Sequence, residues 1–294
     1  MTQRTMAVTG KAAPLRSRLM DSADIPAALA LCRAARWNQI AADWALYMEY
    51  GSGGARVLLY GGQVVGTVTA VDYQQRFSWI GMVLVDERMR RQGIGIRLLS
   101  LALEHLRDSE TVKLDATPAG RPVYLPLGFV DEWELLRMET RAVPVSVRSQ
   151  INVRAMGAED RARVMEWDRK VFGADRSPIL WRYRDLAPEY AWVAERGGRL
   201  VGYSFGRHGF RWDQAGPIIA ESREAAQALL AATLTRHPGR PFLVDSRLAD
   251  PDWIVWLREI GFVEQRPYTR MYRGPNRFPG LPEAQFAILG PELG

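Results

Sequence analysis

A basic, glycine-rich segment at residues 83–99, VLVDERMRRQGIGIRLL, holds the residues with the clearest capacity for chemistry. Arg90, Gly93 and Gly95 fit the pattern Arg/Gln-x-x-Gly-x-Gly/Ala, in which glycines allow successive backbone N–H groups to converge on an anion. Apolar residues at helical spacing follow, so the N–H groups would lie at the positive end of a helix. The segment therefore predicts a cradle for a phosphorylated ligand. Taken alone, an ordinary turn rich in glycine and arginine is the alternative.

The elements around this loop narrow the choice of ligand. FSWIGMVLV, before the loop, is typical of a buried strand, and a second apolar strand is predicted at residues 112–116. A Walker phosphate loop is excluded because Ile96 stands where lysine is needed, and a dinucleotide fingerprint is excluded because Leu98 replaces its third glycine. Beyond the second strand the chain reads YLPLGF from Tyr124, which is a Tyr-x-x-x-Gly-Phe motif.

The order of strand, phosphate loop, helix, strand and Tyr-x-x-x-Gly-Phe over residues 14–140 resembles the GNAT family of acyl-CoA-dependent N-acyltransferases. The resemblance implies that acetyl-CoA is the acyl donor and that no metal is needed. It also implies that two central parallel strands splay apart and pair with the pantetheine arm, and that Tyr124 supplies a proton or hydrogen bond to the leaving thiolate. Thr117 stands where many members carry asparagine. The residues implied in acetyl-CoA binding are Val83, Leu84, Val85, Arg90, Arg91, Gln92, Gly93, Ile94, Gly95 and Thr117.

The acceptor is predicted to bind in the segment ARWNQIAADWALYMEYG at residues 35–51, where GNAT proteins have their first two helices. Aromatic side chains with few polar groups are typical of a small-molecule pocket. Asp43 and Asp115 are the candidates for a general base, with a cap or a salt bridge as the alternative for Asp115. Helical spacing favours a core position for Trp44. The candidate acceptor-binding residues are Trp37, Asn38, Asp43 and Trp44.

Composition favours a soluble enzyme. The chain has 294 residues, is 47% apolar and has no apolar run near the roughly 20 residues of a membrane helix. A single cysteine, Cys32, fits a reducing compartment, and the three histidines are scattered. The net charge of +6 is interleaved with 33 acidic residues and forms no basic block. These features predict a cytoplasmic protein with no metal, membrane or nucleic-acid partner, and residues 1–13 are interpreted as a flexible leader.

The sequence contains an internal repeat. Arg18-Leu19-Met20 matches Arg154-Ala155-Met156, and GGQVVG matches GGRLVG, each pair 136 positions apart. Further along, GFV and Arg-Met recur at a spacing of 133 positions. Because the matches keep one order, we expect two copies of one fold, a first domain at residues 14–143 and a second at residues 151–294, with a linker at residues 141–150.

The second copy lacks both chemical elements of the first. Between strand and helix it reads ESREAA at residues 221–226, without glycine, and its carboxylates near the helix start would repel phosphate. Leu257 stands at the position equivalent to Tyr124. We expect a degenerate partner domain that closes the acceptor pocket, replaces the subunit that many GNAT proteins borrow by dimerising, or binds a regulatory ligand. The second of these roles is preferred, and it predicts a monomer.

Together these observations predict an α/β protein resembling bacterial tandem-GNAT proteins. Each of its two domains would be a mixed (α+β), mostly antiparallel sheet with two splayed parallel strands, flanked by helices. The predicted activity is direct transfer of an acetyl group from acetyl-CoA to a primary amine of a small molecule, within a ternary complex. A non-catalytic acyl-CoA sensor is the alternative, because Thr117 replaces the asparagine and no base is located.

Overall fold

Strands from both halves of the chain join into one mixed 13-stranded sheet in the computed structural model, which describes residues 14–51, 53–142, 144–147 and 149–294. The predicted leader at residues 1–13 lies outside the described residues. Helices flank the sheet on both faces, so the predicted fold class is confirmed. The strands are β1 Arg16–Leu19, β2 Arg56–Tyr60, β3 Gln63–Tyr73, β4 Phe77–Val85, β5 Val112–Ala116, β6 Val130–Arg141, β7 Asn152–Ala155, β8 Trp192–Arg196, β9 Arg199–Arg207, β10 Asp213–Ala220, β11 Pro241–Arg247, β12 Val263–Arg273 and β13 Gln285–Ala287. The helices are α1 Ile25–Ala34, α2 Ala41–Tyr50, α3 Ile94–His105, α4 Arg121–Tyr124, α5 Arg161–Phe172, α6 Ser177–Leu186, α7 Arg223–Arg236 and α8 Pro251–Glu259.

The two halves exchange their long strands β6 and β12. The order across the sheet is β1-β2-β3-β4-β5-β12-β6-β11-β10-β9-β8-β7, and β13 pairs with β10. Strand β12 is thus antiparallel to β5 of the first half, while β6 is antiparallel to β11 of the second half. The two exchanged strands also pair with each other along most of their length. Each half therefore completes the sheet of the other, and the predicted linker at residues 141–150 follows the end of β6.

Two pairs of parallel strands, one in each half, begin side by side and then separate. In the first half β4 and β5 pair only at Ser78–Val112 and Trp79–Lys113. In the second half β10 and β11 pair only at Asp213–Phe242 and Gln214–Leu243. The splay predicted from the family resemblance is thus present twice.

The helices divide between the two faces of the sheet. On one face α3 packs against the first half, and α7 and α8 pack against the second, each over its own apolar cluster. On the other face α1 and α2 of the first half and α5 and α6 of the second half bury one apolar cluster together, which we call the shared core. The shared core makes the two halves one packing unit, because neither half covers that cluster alone.

Equivalent contacts in the two halves confirm the internal repeat. Arg18 donates two hydrogen bonds to the Asp24 carboxylate, at 2.6 and 2.8 Å, and Arg154 donates two to Asp160, both at 2.7 Å. At the Gly66 position a Cβ atom would lie 2.8 Å from Leu98 Cδ1 of α3. The corresponding Gly202 is equally close to a leucine of α7. Glycine therefore lets each helix lie directly on its sheet.

We predict that Gly66→Ala lowers the free energy of unfolding by about 1–3 kcal/mol, because the added methyl overpacks the contact between β3 and α3. Gly95→Ala is the control, since a Cβ there meets nothing nearer than 4.0 Å, and alanine in a helix should be neutral or stabilising by up to about 1 kcal/mol. Urea unfolding of both variants measures the difference. Equal stability of the two variants would contradict the packing argument.

Candidate active site

The basic loop before α3 presents a row of backbone N–H groups to solvent. Gly93 takes a left-handed conformation, with φ of 77°, directly before the helix, and Arg91 also has a positive φ of 60°. Within the described chain, the N–H groups from Arg91 through Gln92, Gly93 and Ile94 to Gly95 donate no hydrogen bond. Unpaired donors at the positive end of a helix are a ready anion site.

The side chains of this loop leave the N–H groups accessible. Arg90 lies 3.4 Å from the Glu87 carboxylate, and about half of each side chain is exposed. Arg91 and Gln92 are also exposed, whereas Ile94 is buried against the sheet and anchors the start of α3. The loop is therefore fixed at its helical end, and its arginines can turn toward a phosphate.

An irregularity in β4 shapes the wall of the first-half cleft, by which we mean the space between the separated ends of β4 and β5. Between the pairs Thr67–Leu84 and Thr69–Gly81 the strand β4 has an extra residue, and Met82 there has a φ of 51°. The Thr67 hydroxyl donates a 2.8 Å hydrogen bond to the Met82 carbonyl and holds the bulge. The bulge bends β4 just before Val83, Leu84 and Val85, which are the residues predicted to pair with pantetheine.

Tyr124 lies beyond β5, at the end of the short helix α4. Its ring is half-buried, 6.1 Å from the ring of Phe129. A Cβ added to Gly120 would lie 3.1 Å from the Tyr124 hydroxyl and 3.3 Å from Thr117 Oγ1, so both hydroxyls flank the turn after β5. Burial raises the pKa of Tyr124 to about 12. The hydroxyl therefore carries its proton at neutral pH, and it makes no hydrogen bond within the described residues.

The Asp115 carboxylate is fully engaged. Arg270 of β12 donates to it from Nε at 2.8 Å and from a terminal nitrogen at 2.9 Å, and both side chains are buried. A carboxylate held in this way is a poor proton acceptor for an amine. The structure thus favours the salt-bridge alternative for Asp115 over the role of general base.

The four residues predicted to bind the acceptor make contacts within the protein. Trp44 is fully buried in the shared core and Trp37 packs against its edge. The Asn38 side chain bonds the backbone of the second-half hairpin that joins β9 and β10, including a 2.7 Å bond to the Trp212 carbonyl. Asp43 accepts a 2.8 Å hydrogen bond from Arg207, and burial raises the pKa of Asp43 to about 6. The contacts of Asn38 and Asp43 join the two halves, and of the four residues only Trp37 keeps part of its side chain exposed.

The space between the separated strands β10 and β11 of the second half is filled by another segment of the same chain. Sequence reasoning missed this segment. Strand β13 runs antiparallel to β10, and the Ile288 N–H donates a 3.0 Å bond to the Asp245 carbonyl of β11. Residues of β13 therefore fill the space that corresponds to the first-half cleft. The apolar run FAIL at residues 286–289, which follows the last repeated motif, was the available sequence signal.

The helix next to this filled space has no anion cradle. The Ser222 hydroxyl caps α7 by accepting from the Ala225 N–H at 3.3 Å. The carboxylates of Glu221 and Glu224 pair with Arg199 and Arg196. The absence of glycine predicted this difference, because the shorter connection begins the helix at once.

Residues after β13 continue into the first half and pack against β4. The Trp79 indole N–H donates a 3.0 Å bond to the Pro291 carbonyl, and the Tyr73 hydroxyl donates a 2.8 Å bond to the Leu293 carbonyl. Glu292 accepts hydrogen bonds from Arg207 at 2.9 Å and from the Tyr47 hydroxyl at 3.0 Å. The end of the described chain is therefore part of the shared core.

Among the described residues, no group of three or more His, Cys, Asp and Glu side chains is placed to hold a metal ion. In the same residues, no helix combines the length and the apolar character needed to cross a membrane.

Comparison with protein families finds a match in each half. Residues 28–129 match the model described as "Acetyltransferase (GNAT) family", and residues 164–287 match the model described as "Acetyltransferase (GNAT) domain". The first match contains the cradle and Tyr124, and the second contains β10, β11 and β13. The two matches follow the two copies of the internal repeat.

Known proteins with similar sequences are acyltransferases. The chain is 27% identical over 216 residues to holothin acyltransferase of a Pseudoalteromonas species, covering 71% of each protein. It is 24% identical over 188 residues to an uncharacterized N-acetyltransferase of Bacillus subtilis, covering 64% of this chain and 66% of the relative.

Solved structures share the fold over nearly the whole chain. A Pyrococcus horikoshii protein described only provisionally as an acetyltransferase superposes with a TM-score of 0.80 at 20% identity, covering 100% of this chain and 99% of the other. A tandem GNAT protein from the clavulanic acid biosynthesis pathway gives a TM-score of 0.66 at 16% identity, covering 89% and 99%. At these identities the likeness establishes the fold alone.

We predict that the protein binds one acetyl-CoA per chain and that Gly93→Glu abolishes binding, because a carboxylate would occupy the row of N–H donors. Gly239→Glu is a matched control. Both glycines have φ near 80° and open space around the missing side chain, so backbone strain and charge change equally. Calorimetric titration gives the stoichiometry. Two sites in the wild type, or a site that survives Gly93→Glu, would contradict the assignment.

Proposed function

Because the chain belongs to the GNAT acetyltransferase family and is an N-acyltransferase with a GNAT domain in each half, we propose that its first half moves an acetyl group from acetyl-CoA to a primary amine of a small molecule. The observation that carries this proposal is the contrast between the halves. In the described residues, the first-half cleft has unpaired N–H donors in the loop that follows β4 and an unpaired tyrosine hydroxyl beyond the end of β5, whereas the corresponding space in the second half is filled by β13.

The donor substrate would lie along the first-half cleft. The pyrophosphate would accept hydrogen bonds from the backbone of residues 91–95, with Arg90 and Arg91 adding charge. The pantetheine amides would pair with the free edges of Val83–Val85 on β4 and of residues 114–117 on β5, where no strand of the described chain pairs them. Thr117 would contribute its hydroxyl, which already accepts a 3.1 Å bond from the Gly120 N–H and can still donate.

The chemistry would be direct aminolysis of the thioester. The neutral amine attacks the carbonyl carbon, a C–N bond forms, the C–S bond breaks and the sulfur leaves as a thiolate. Tyr124 gives its hydroxyl proton to that sulfur and regains a proton from solvent, to which the amine releases its own proton. With a pKa near 12 the phenol is protonated before the reaction, as a general acid must be.

The acceptor would reach the thioester from the face of the sheet that carries α1 and α2. Trp37 is the predicted acceptor residue that stays half-exposed. Arg33 links this segment to the second half, because it donates a 3.3 Å hydrogen bond to the Trp37 carbonyl and stacks on the Phe210 ring. Residues from both halves around Arg33 support a small, enclosed acceptor better than an extended one. The name of the relative holothin acyltransferase supports acyl transfer by this architecture.

The second half would act as an internal partner subunit. Strand exchange and the shared core both lie within one chain, so the protein is proposed to be a monomer. A buried, unpaired cysteine, Cys32, supports a cytoplasmic location.

A second candidate function is an acyl-CoA sensor without turnover. It is supported by Thr117 in place of asparagine, and by the engagement of both candidate base carboxylates, Asp43 and Asp115, in ion pairs with arginine. Such a protein would bind acetyl-CoA through the same cradle and cleft. Tyr124 distinguishes the two functions, because only an enzyme needs its proton.

We predict that Tyr124→Phe lowers kcat by about 10- to 100-fold and leaves the Kd for acetyl-CoA within about twofold of the wild type, because only the proton donor is lost. Tyr60→Phe is the control, since this half-buried tyrosine on β2 also makes no side-chain hydrogen bond in the described residues. Turnover is measured by thiol release against a panel of small amines. An unchanged kcat for Tyr124→Phe would contradict the role of Tyr124 as general acid. If the wild-type protein turned over no amine of the panel, the sensor function would be favoured.

A further inference from the structure

We propose that Arg270 of the second half is a positioning residue for the first-half cleft and sets the spacing between β4 and β5. This inference rests on the proposed function, because it assigns a role in binding acetyl-CoA. Beyond Trp79 and Lys113 no backbone hydrogen bond of the described chain joins the two strands, so another interaction must fix how far apart they lie.

The Arg270 guanidinium contacts both β4 and β5 at the point where the two strands begin to separate. It pairs with Asp115 of β5 through two hydrogen bonds of 2.8 and 2.9 Å. Its central carbon also lies 4.5 Å from the centre of the Trp79 ring, which belongs to β4. A planar guanidinium can make a bidentate ion pair at its edge and stack on a ring at its face at the same time. One buried group therefore ties the two separated strands together.

A third contact fixes the orientation of this group. Trp133 of β6 lies on the guanidinium at 4.1 Å from the ring centre. Arg270 pairs with Trp133 across the two exchanged strands and lies opposite Asp115 in the register of β5. The second half thus supplies the positioning residue Arg270 through β12. The rings of Trp79 and Trp133 fix the orientation of the guanidinium plane.

The equivalent ion pair of the second half can be compared with the Arg270–Asp115 pair. The comparison distinguishes positioning of two separated strands from attachment of an exchanged strand. Arg137 of β6 pairs with Asp245 of β11 at 2.6 and 2.7 Å, equally buried. At the position equivalent to Trp79 the second half has Gln214, which bonds Asp245 at 2.9 Å instead of stacking on the arginine. There the space between the strands is filled by β13. Both arginines attach an exchanged strand, but only Arg270 spans an open cleft.

The test compares two double substitutions that each replace a buried ion pair by a neutral pair of similar shape, Arg270→Gln with Asp115→Asn and Arg137→Gln with Asp245→Asn. Both should lower thermal stability, because each removes an attachment of an exchanged strand. We expect only the first to raise the Kd and the KM for acetyl-CoA, by about tenfold, which is the effect of losing one or two well-placed contacts. The second should leave both constants within about twofold of the wild type.

A pair of single substitutions keeps the test decisive if a double variant fails to fold. Trp79→Leu removes the ring on β4 where the strands begin to separate and should weaken acetyl-CoA binding, whereas Trp133→Leu removes the ring on β6 and should weaken it less. The positioning role would be overturned if the two double variants, or the two tryptophan variants, changed the affinity for acetyl-CoA equally. It would also be overturned if substitution of Arg270 and Trp79 left that affinity unchanged, and in each case the proposed function would remain intact. Failure of the wild-type protein to bind acetyl-CoA would overturn both.

Discussion

The exchange of β6 and β12 is the constraint on which the rest of the structure depends. Each exchanged strand carries an arginine to a buried aspartate of the other half, Arg270 to Asp115 and Arg137 to Asp245. A buried carboxylate without its partner would cost several kcal/mol, and a shift of the strand by one residue would turn the arginine to the opposite face. The two ion pairs therefore fix both the partner and the register of each exchanged strand.

Separated parallel strands create the same physical problem in both halves, and the halves solve it differently. Backbone groups in the gap between two splayed strands need hydrogen-bond partners. In the second half β13 supplies them from the same chain, and the adjacent helix is capped by Ser222. In the first half no strand of the described residues pairs in the gap, and α3 beside it has no side-chain cap among them, so its first N–H groups face solvent. A ligand that is itself an extended chain with amide groups and a pyrophosphate meets both requirements.

The parts of this arrangement that depend on local sequence could be predicted. The apolar runs gave β4 and β5, the glycines gave the loop before α3, and the lost glycines of the second copy gave a helix without a cradle. Strand exchange could not be predicted, because both copies carry the same strand pattern and either partner would satisfy it. The same reason explains why the contacts of Asn38 and Asp43 were not predicted. Their polar side chains indicated a pocket, but they bond Trp212 and Arg207 of the other half. Long-range pairings of this kind leave no periodic signal.

Covalent linkage of the two copies permits an asymmetry that a symmetric dimer of one copy would not have. In a dimer related by a two-fold axis the same segment would have to fill both gaps or neither. Here a single segment serves both halves in turn. The Ile288 carbonyl lies over Gly216 of β10, and four residues later the Glu292 carbonyl lies over the equivalent Gly81 of β4, where a Cβ atom would collide with the segment's backbone. The segment pairs with strands in the second half, whereas in the first half it lies over the face of β4 at Gly81 and accepts a hydrogen bond from the Trp79 side chain. The residues of this segment that pair with strands all lie in the gap of the second half. The protein can therefore close that gap and keep the first-half cleft free.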